Sequence, residues 1–464
     1  MDQNSIDLRP APSHLRRQLS GVGVLLLALS SLSPVLSAYG IGSDVLLHAG
    51  SGAAVLFLLG IGVALVFGVV YAELGSAYPY AGGDYVGVGT ILGGWAGVSS
   101  MAIWAATSGP NLAFAAKVFA DYAGPLAPAV PAGVLVFGAL AAATVVALLA
   151  VRASAWITGL FLAVEMAAVL ALIAAGLWDP GAGAGAALLH PVALDARGAL
   201  SAVPFGVLAL GGVSAAFGTV GGNQAIGFGE ELRDPHATMG HVVLLSCMVG
   251  AAATALPVVA VALGAPDLAA VLRSPAPFTT FMAQVAGPGA ARALGLGVAL
   301  AVFNSMIATL MYMARLFFSM GRDAVFPGAA NRVLMAVDGG SGVPRNATLL
   351  VGAFSAASCL LSSHVLLVFT SGLIVFALAL VSLAVLVGRG RGLTGRPGCW
   401  RSALFPAAPV LGLAIAGAFA AADWADADVG RPSLLVMALI VAAAMLWHRL
   451  GLRRRPQGWA PRLG

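Results

Sequence analysis

The carboxylate of Glu165 lies in the middle of the apolar stretch GLFLAVEMAAVLALIAAGL. An uncompensated carboxylate inside a bilayer costs roughly 2.5 to 3.5 kcal/mol on insertion scales, so Glu165 should face a bundle interior and be paired or protonated. Burial favours the neutral form of a carboxyl group, which suits a proton carrier. We therefore take Glu165 as a candidate coupling residue, with a hydrogen-bonded packing residue as the alternative.

A second acidic cluster occupies residues 71–85, YAELGSAYPYAGGDY, directly after about twenty apolar residues. Pro79 should end the preceding helix, and the two glycines of this segment permit a tight turn. We expect the carboxylates of Glu73 and Asp84 to bind water or arginine partners. The alternative is that they are solvated at the membrane interface and only help to set the membrane topology. The expected partners are Arg233, Arg315 and Arg322.

The composition is that of a membrane protein. Charged residues make up 9% of the chain and apolar residues 60%, with a mean hydropathy of +0.97, whereas ordinary soluble domains contain roughly 25% charged residues. Runs long enough to cross a bilayer recur along the chain, which indicates a polytopic helical protein. The three cysteines are far apart and suggest neither a disulfide framework nor a metal cluster.

We predict twelve spans, which places both termini on one side of the membrane. Eighteen of the 23 Lys and Arg residues fall on that side, so the positive-inside rule makes the termini cytoplasmic. This asymmetry accounts for the basic charge without nucleic-acid binding. The predicted spans begin near Gly21, Gly52, Gly93, Pro131, Ser154, Ser201, Gly240, Gly289, Asn346, His364, Ala403 and Pro432.

Two of these spans are interrupted by residues that weaken helices. Span one contains LALSSLSPVLSAYGIGSD (residues 27–44), and span six contains LGGVSAAFGTVGGNQAIGFGEELRDP (residues 210–235). In hydrocarbon an unwound stretch must face protein, water or ligand, although a simple kink or small-residue packing would also explain either break alone. Paired breaks at matching places in two five-span halves indicate a midplane transport site between inverted repeats.

Three stretches resemble the amino acid/polyamine/organocation transporter superfamily. They are YAELGSAYPYAGGDYVGVGTILG, GFGEELRDP and MARLFFSMGRDAVFPGAANRV, which follow the second, sixth and eighth spans. The second stretch has Asp234 where the family pattern has Asn. The resemblance covers roughly residues 20–390 and implies a leucine-transporter-like fold of five plus five inverted repeats, with discontinuous helices one and six and two extra helices.

The resemblance also implies where the substrate binds. In such proteins the carboxylate and ammonium of an amino acid lie against the unwound backbone of spans one and six, where free N–H groups stabilise an anion. Carried over by motif, the substrate contacts are Ser31, Ser33, Pro34 and Val35 on span one and Phe217, Gly218, Thr219, Gly221, Gly222 and Asn223 on span six. Trp104, Asn111 and Tyr312 are further candidates to line the cavity, with packing in the bundle core as the alternative.

The same resemblance implies a cytoplasmic gate and a coupling ion. The gate candidates are Glu73, Asp84, Tyr85, Glu231 and Arg322. Some proton-coupled relatives have a lysine on span five, and this chain departs from that pattern with Glu165. We expect H⁺ as the coupling ion because a buried carboxyl group can carry a proton. Na⁺ is the alternative, because span eight offers Asn304, Ser305 and Thr309. For Asn304 we expect a helix–helix hydrogen bond.

These features predict a secondary active transporter that moves amino acids by alternating access, as a proton symporter. An amino acid or polyamine exchanger, or a substrate sensor on the same fold, is the alternative. No catalytic constellation and no nucleotide-binding motif occurs, so we expect neither an enzyme nor a cofactor. The expected partners are the substrate and the lipids of an inner or plasma membrane, with no nucleic acid and no obligate protein. The predicted regions are a tail (1–20), a transport core (21–390), two further helices (391–450) and a basic tail (451–464).

Overall fold

A computed structural model describes residues 17, 19–149, 151–178, 188–195, 197–339, 342–453 and 459–462. Most of the predicted N-terminal tail, together with residues 454–458 and 463–464 of the predicted basic tail, lies outside the described residues.

The described part of the chain is mostly helical. Its α-helices are α1 (Gly21–Leu32), α2 (Pro34–Leu36), α3 (Ser43–Ala49), α4 (Gly52–Ala77), α5 (Asp84–Leu92), α6 (Gly94–Ala123), α7 (Ala132–Ala147), α8 (Val151–Leu177), α9 (Phe205–Thr219), α10 (Pro235–Gly264), α11 (Leu268–Arg273), α12 (Pro277–Arg322), α13 (Gly328–Leu334), α14 (Arg345–Ser358), α15 (Ser363–Ser371), α16 (Leu373–Gly390), α17 (Ala407–Ala425) and α18 (Gly430–Trp447). Segments Ser37–Gly42 and His448–Leu452 are π-helical, and Gly124–Leu126 and Asn223–Glu231 are 3₁₀-helical.

Among the described residues, nine helical stretches are long and apolar enough to cross a membrane. They are Gly21–Ala49, Gly52–Ala77, Trp156–Leu177, Phe205–Glu231, Pro235–Gly264, Pro277–Arg322, Ser363–Gly390, Ala407–Ala425 and Gly430–Leu452. The chain is therefore a polytopic helical membrane protein. The other three predicted spans correspond to α6, α7 and α14, so the number twelve and the five-plus-five repeat stay predictions.

The first membrane stretch is broken at Ser33, as the sequence predicts. Helix α1 ends at Leu32, and Ser33 takes a left-handed conformation with φ of 43°. Its hydroxyl accepts a hydrogen bond from the N–H of Leu36, 3.2 Å away, while Pro34 begins the short helix α2. Serine and proline thus end one helix and start the next within the apolar run.

The second predicted break lies after Thr219, where α9 ends. Residues 220–222 leave the helix, and Gly222 has φ of 79° before the 3₁₀-helix Asn223–Glu231 begins. A Cβ atom on Gly222 would lie 2.8 Å from the backbone N of Cys247 on α10. Glycine is required here by both the backbone conformation and the close approach of α10.

Helix α4 supports the second break, because it packs along α10 and α9. Small residues permit this contact: Gly60 faces Thr219, and Gly68 faces Cys247. Close helix approach at small residues is the usual packing mode in membranes. The second break is therefore held between α4 and α10.

One element departs from the predicted all-α fold. Strands β1 (Val192–Leu194) and β2 (Leu200–Ala202) form a short antiparallel ribbon between α8 and α9. The ribbon is tied to the start of α4, because the Ser51 N–H donates to the Val192 carbonyl oxygen at 2.9 Å and the Val192 N–H donates to the Ser51 hydroxyl at 3.0 Å. This region is Gly/Ala-rich in sequence and lacks the alternation that predicts strands.

We predict that Gly222→Ala destabilises the protein. A residue with a Cβ atom loses about 1 to 2 kcal/mol in a left-handed conformation, and the new methyl group would also clash with Cys247. The thermal unfolding midpoint in detergent should fall. Gly212→Ala in the same membrane stretch is the control, because its Cβ atom would make only an ordinary contact, 3.7 Å from Leu56. Equal shifts in both variants would contradict the strain argument.

Candidate functional site

A cavity of about 160 Å³ lies between the two breaks. Its walls come from the first membrane stretch, the second break, α6, α12 and the α15–α16 junction. The lining residues are Ser31, Leu32, Leu36, Ser37, Ile41, Phe67, Trp104, Asn111, Leu112, Phe114, Ala115, Phe217, Val220, Gly221, Asn223, Gln224, Ser305, Met306, Thr309, Tyr312, Met313, Thr370, Leu373 and Ala377. The helix breaks thus surround a lined space, as unwound backbone in a membrane requires.

The structure places part of the predicted substrate set at this cavity. Ser31, Phe217, Gly221 and Asn223 line it, as do the further candidates Trp104, Asn111 and Tyr312. The remaining six predicted contacts are not among the lining residues: Ser33, Pro34, Val35, Gly218, Thr219 and Gly222.

Local contacts explain why those side chains do not line the cavity. The Ser33 hydroxyl donates to Glu165 Oε1, and the Thr219 hydroxyl donates to the carbonyl oxygen of Ala216 at 3.0 Å. Gly218 packs near Ile41, and Gly222 packs against α10. The motif located the breaks, but it could not tell which residue of each break faces the cavity.

Glu165 lies inside the bundle, fully buried, and contacts the first break. Its Oε1 atom accepts hydrogen bonds from the Ser33 hydroxyl and from the Val35 N–H, both at 3.0 Å. The Val35 N–H is one of the donors that a broken helix leaves without an intrahelical partner. Glu165 Oε2 is buried and has no hydrogen-bond partner among the described residues. The predicted interior, hydrogen-bonded position of Glu165 is confirmed, and its coupling role stays a prediction.

Helix α12 contacts the cavity side of the first break. The hydroxyls of Ser31 and Thr309 lie 3.3 Å apart, and the Ser305 hydroxyl donates to the Val302 carbonyl oxygen at 2.9 Å. The hydrogen bond expected for Asn304 is absent, because neither side-chain atom of this buried residue has a partner within the described part of the chain. The Na⁺ hypothesis for these hydroxyls stays a prediction.

Glu73, at the predicted cytoplasmic end of α4, is paired with Arg389. Arginine Nε donates to Oε1 at 2.7 Å and Nη2 donates to Oε2 at 2.5 Å. The Thr394 hydroxyl and the Ser402 N–H add bonds of 3.0 and 3.2 Å. The expectation of Arg233, Arg315 or Arg322 as the partner was wrong. Glu73 ties α4 to the end of α16 and the basic loop after it.

The carboxylate of Asp84, on the short helix α5, has neutral partners instead of an arginine. It accepts from the Tyr71 hydroxyl at 3.1 Å, the Ser100 hydroxyl at 3.2 Å and the Trp104 indole N–H at 3.1 Å. Burial raises the pKa of the Asp84 carboxyl, and the bonds from Trp104, Tyr71 and Ser100 oppose that shift. Because Trp104 lines the cavity, Asp84 is one side chain away from it.

Two of the three expected arginines, Arg315 and Arg322, pair instead with the acidic residues that follow the second break. Arg315 Nε lies 2.6 Å from Glu231 Oε1, and both side chains are almost fully buried. Arg322 Nη1 lies 2.5 Å from Glu230 Oε1 and Arg322 Nε lies 3.5 Å from Asp323 Oδ1, at a more accessible position. The predicted gate residues Glu231 and Arg322 therefore lie in two neighbouring ion pairs. These pairs connect the second membrane break to the end of α12.

Asp323 joins several elements just beyond α12. Its Oδ2 atom accepts from the Tyr85 hydroxyl at 2.8 Å, and its backbone carbonyl oxygen accepts from the indole N–H of Trp459 at 2.8 Å. The Arg462 N–H donates to Oδ1 at 3.3 Å. Burial raises the pKa of the Asp323 carboxyl, and the charge of Arg322 opposes that shift. Residues 459–462 thus pack against the predicted gate.

The sequence profile described as amino acid permease matches residues 19–444. The chain belongs to the amino acid permease family. Similar curated proteins are an uncharacterized transporter of Mycobacterium bovis and uncharacterized transporters of Mycobacterium tuberculosis strains CDC 1551 and H37Rv. Each is 30% identical to the permease over 367 residues, which cover 76% of the permease and 76% of the relative. The permease is accordingly a multi-pass transporter and not an enzyme.

Sequence reasoning missed several residues of the permease site. Gln224 and Ser37 line the cavity and follow predicted contacts in the chain. The position of each helix break in the sequence could therefore have pointed to them. Arg389 had a weaker signal, since it lies in the last turn of α16, next to a basic loop predicted on the same side as Glu73. The local sequence pattern did not predict that residues 459–462 would contact the gate region at Asp323.

We predict that Glu231→Ala strongly destabilises the permease. Removing one partner of a buried ion pair leaves an unpaired buried charge and typically costs about 3 to 5 kcal/mol. Glu230→Ala is the matched control, because its pair with Arg322 is more accessible and should matter less. Thermal unfolding in detergent measures both losses, and adding Arg315→Met to Glu231→Ala should restore part of the stability. An equal loss in the two single variants would contradict this ranking.

Proposed function

We propose that this permease is a proton-coupled secondary active transporter that takes up amino acids by alternating access. The observation that carries the proposal is the position of Glu165, which is fully buried and bridges the first membrane break through the Ser33 hydroxyl and the Val35 N–H. A titratable group bound to the unwound backbone can couple its protonation to the conformation of that backbone.

Neither protonation state of Glu165 is fully satisfied in this conformation. An ionised carboxylate has no hydrogen-bond donor for Oε2 among the described residues, and a protonated one has no acceptor there. The cost of an unsatisfied buried polar group changes when water or a donor reaches it. A conformational change that hydrates Oε2 would therefore change the proton affinity of Glu165, as coupling requires.

The cavity supports binding of an amino acid main chain. Unwound backbone at the second break can offer N–H groups for the carboxylate and carbonyl oxygens for the ammonium. At the first break the N–H groups of Ser33, Val35 and Leu36 already have partners in the protein. Ser31 and Gly221 bring the two breaks to the same cavity. We place the permease in the inner or plasma membrane with cytoplasmic termini, on the basis of the arginine distribution.

Packed groups on both sides of the cavity fit alternating access. On the predicted cytoplasmic side lie the pairs Arg315–Glu231 and Arg322–Glu230. On the opposite side, the ring of Tyr39 stacks on Phe278 with a centroid distance of 4.4 Å. Opening either side requires separation of a small set of contacts, which suits two alternative conformations.

We predict that Glu165→Gln abolishes proton-driven accumulation but keeps exchange. The amide preserves size and an acceptor for Ser33 and Val35, but it cannot carry a proton. Purified protein in proteoliposomes, with an imposed pH gradient and a panel of radiolabelled amino acids and polyamines, measures accumulation. Counterflow at equal pH on both sides measures exchange.

Asp423→Asn is the matched control for this experiment. Asp423 is also buried on a membrane helix, α17, and its Oδ2 atom has no partner among the described residues. It is expected to retain accumulation. Accumulation by Glu165→Gln would show that Glu165 is structural, and exchange without accumulation in the wild type would favour an exchanger. Substrate binding without any flux would favour a sensor.

A further inference from the structure

We propose that Asn111 and Asn223 select amino acids with uncharged polar side chains and exclude cationic and anionic substrates. The inference rests on the proposed transport function and specifies the substrate class of the same cavity. The cavity lining carries no formal charge: among the described residues that face the cavity, none is Asp, Glu, Lys, Arg or His.

Most polar groups of the lining already have partners within the protein. Ser31 contacts Thr309, and Ser305 donates to a carbonyl oxygen of its own helix. The Trp104 indole N–H donates to Asp84. These groups shape the cavity, but their hydrogen bonds are occupied.

Four lining side chains have no hydrogen-bond partner among the described residues, and the last two of them are amides: Ser37, Tyr312, Asn111 and Asn223. Asn111 comes from the middle of α6 and Asn223 from the second break, so two separate elements present amides to one cavity. Neither amide has a hydrogen-bond partner among the described residues, although Asn223 is only 3% exposed. The neighbouring Gln224 uses its oxygen to accept from the Gly222 N–H at 3.0 Å.

An amide offers both a donor and an acceptor, so this pair can satisfy a hydroxyl or a carboxamide. Main-chain groups of the substrate would bind the unwound backbone, which leaves the amides for its side chain. A cavity built to hydrogen-bond a substrate group rejects an analogue that leaves its own polar groups unpaired. Serine, threonine, asparagine and glutamine have the matching chemistry.

The nearest buried carboxylates do not offer a counter-charge to a cationic substrate. Asp84 lies behind Trp104 and accepts from Tyr71 and Ser100 as well. Glu165 is directed to Ser33 and Val35 on the first break, and neither residue lines the cavity. A charged side chain would therefore be desolvated without a partner, which is strongly unfavourable.

Competition assays test this selectivity directly. In proteoliposomes, unlabelled glutamine, serine, lysine, putrescine and glutamate compete with the radiolabelled amino acid that is transported best. We expect lysine, putrescine and glutamate to need at least about a hundredfold higher concentration than the neutral polar amino acids for equal inhibition, about 2.7 kcal/mol.

Charge substitutions test the two named residues. Asn223→Asp places a carboxylate in the cavity, so lysine should compete at least about tenfold better than in the wild type and glutamine worse. Asn111→Asp is an independent second variant with the same expected direction. The matched control is Asn346→Asp, an exposed position on α14 where the amide donates to the Val333 carbonyl oxygen. This control should leave the order of competitors unchanged.

Ligand-induced thermal stabilisation in detergent measures the selectivity of binding and does not require transport. Stabilisation by glutamine or serine, and not by lysine or glutamate, is the expected result for the wild type. If lysine competes and stabilises as well as glutamine, the selectivity proposal is overturned while transport stands. If selective stabilisation occurs but no amino acid crosses the membrane in the accumulation or the counterflow assay, the transport proposal fails while the binding specificity stands. An unchanged competitor order in both aspartate variants would show that these asparagines do not select substrate.

Discussion

The fold depends on one constraint, which is that backbone groups freed inside the membrane must find partners. At Ser33 and at Gly222 the chain leaves the helix in positive-φ conformations, within membrane stretches that are otherwise helical. The Val35 N–H is satisfied by Glu165, and the Gly222 N–H by the side-chain oxygen of Gln224. A span without these partners would either remain helical or lose several kcal/mol for each orphan group. The fold therefore needs polar side chains at the two breaks even when no ligand is bound.

The cavity and the predicted gate are connected by hydrogen bonds as well as by packing. Trp104 lines the cavity and donates to Asp84, and the adjacent Tyr85 donates to Asp323 just beyond α12. Helix α5 therefore contacts the cavity wall with one residue and the ion-pair region with the next. A shift of Trp104 on substrate binding would alter the position of α5, and such a shift can move a gate only if the gate has two discrete arrangements.

The sequence predicts local breaks well and long-range partners poorly. Proline, serine and glycine in an apolar run weaken a helix wherever it packs, so both interruptions could be located without a structure. The burial of Glu165 followed from the cost of a charge in hydrocarbon. The pairing of Glu73 with Arg389 could not be derived, because these residues are 316 positions apart and several arginines lie on the same predicted side. Similarly, helical periodicity does not determine which side chain of an unwound segment faces the cavity.

The spacing of Ser31 and Ser33 explains how a proton and a substrate could act on one element. Ser31 lines the cavity and contacts Thr309, whereas Ser33, two residues later, donates to Glu165. In the proposed mechanism the substrate and the proton therefore bind on opposite sides of the same short break. If the substrate and the proton both favour the same arrangement of that break, each strengthens the binding of the other, and thermodynamic linkage makes the two factors equal. Coupling in this permease then needs no contact between the proton site and the substrate, because the backbone of residues 31–35 joins them.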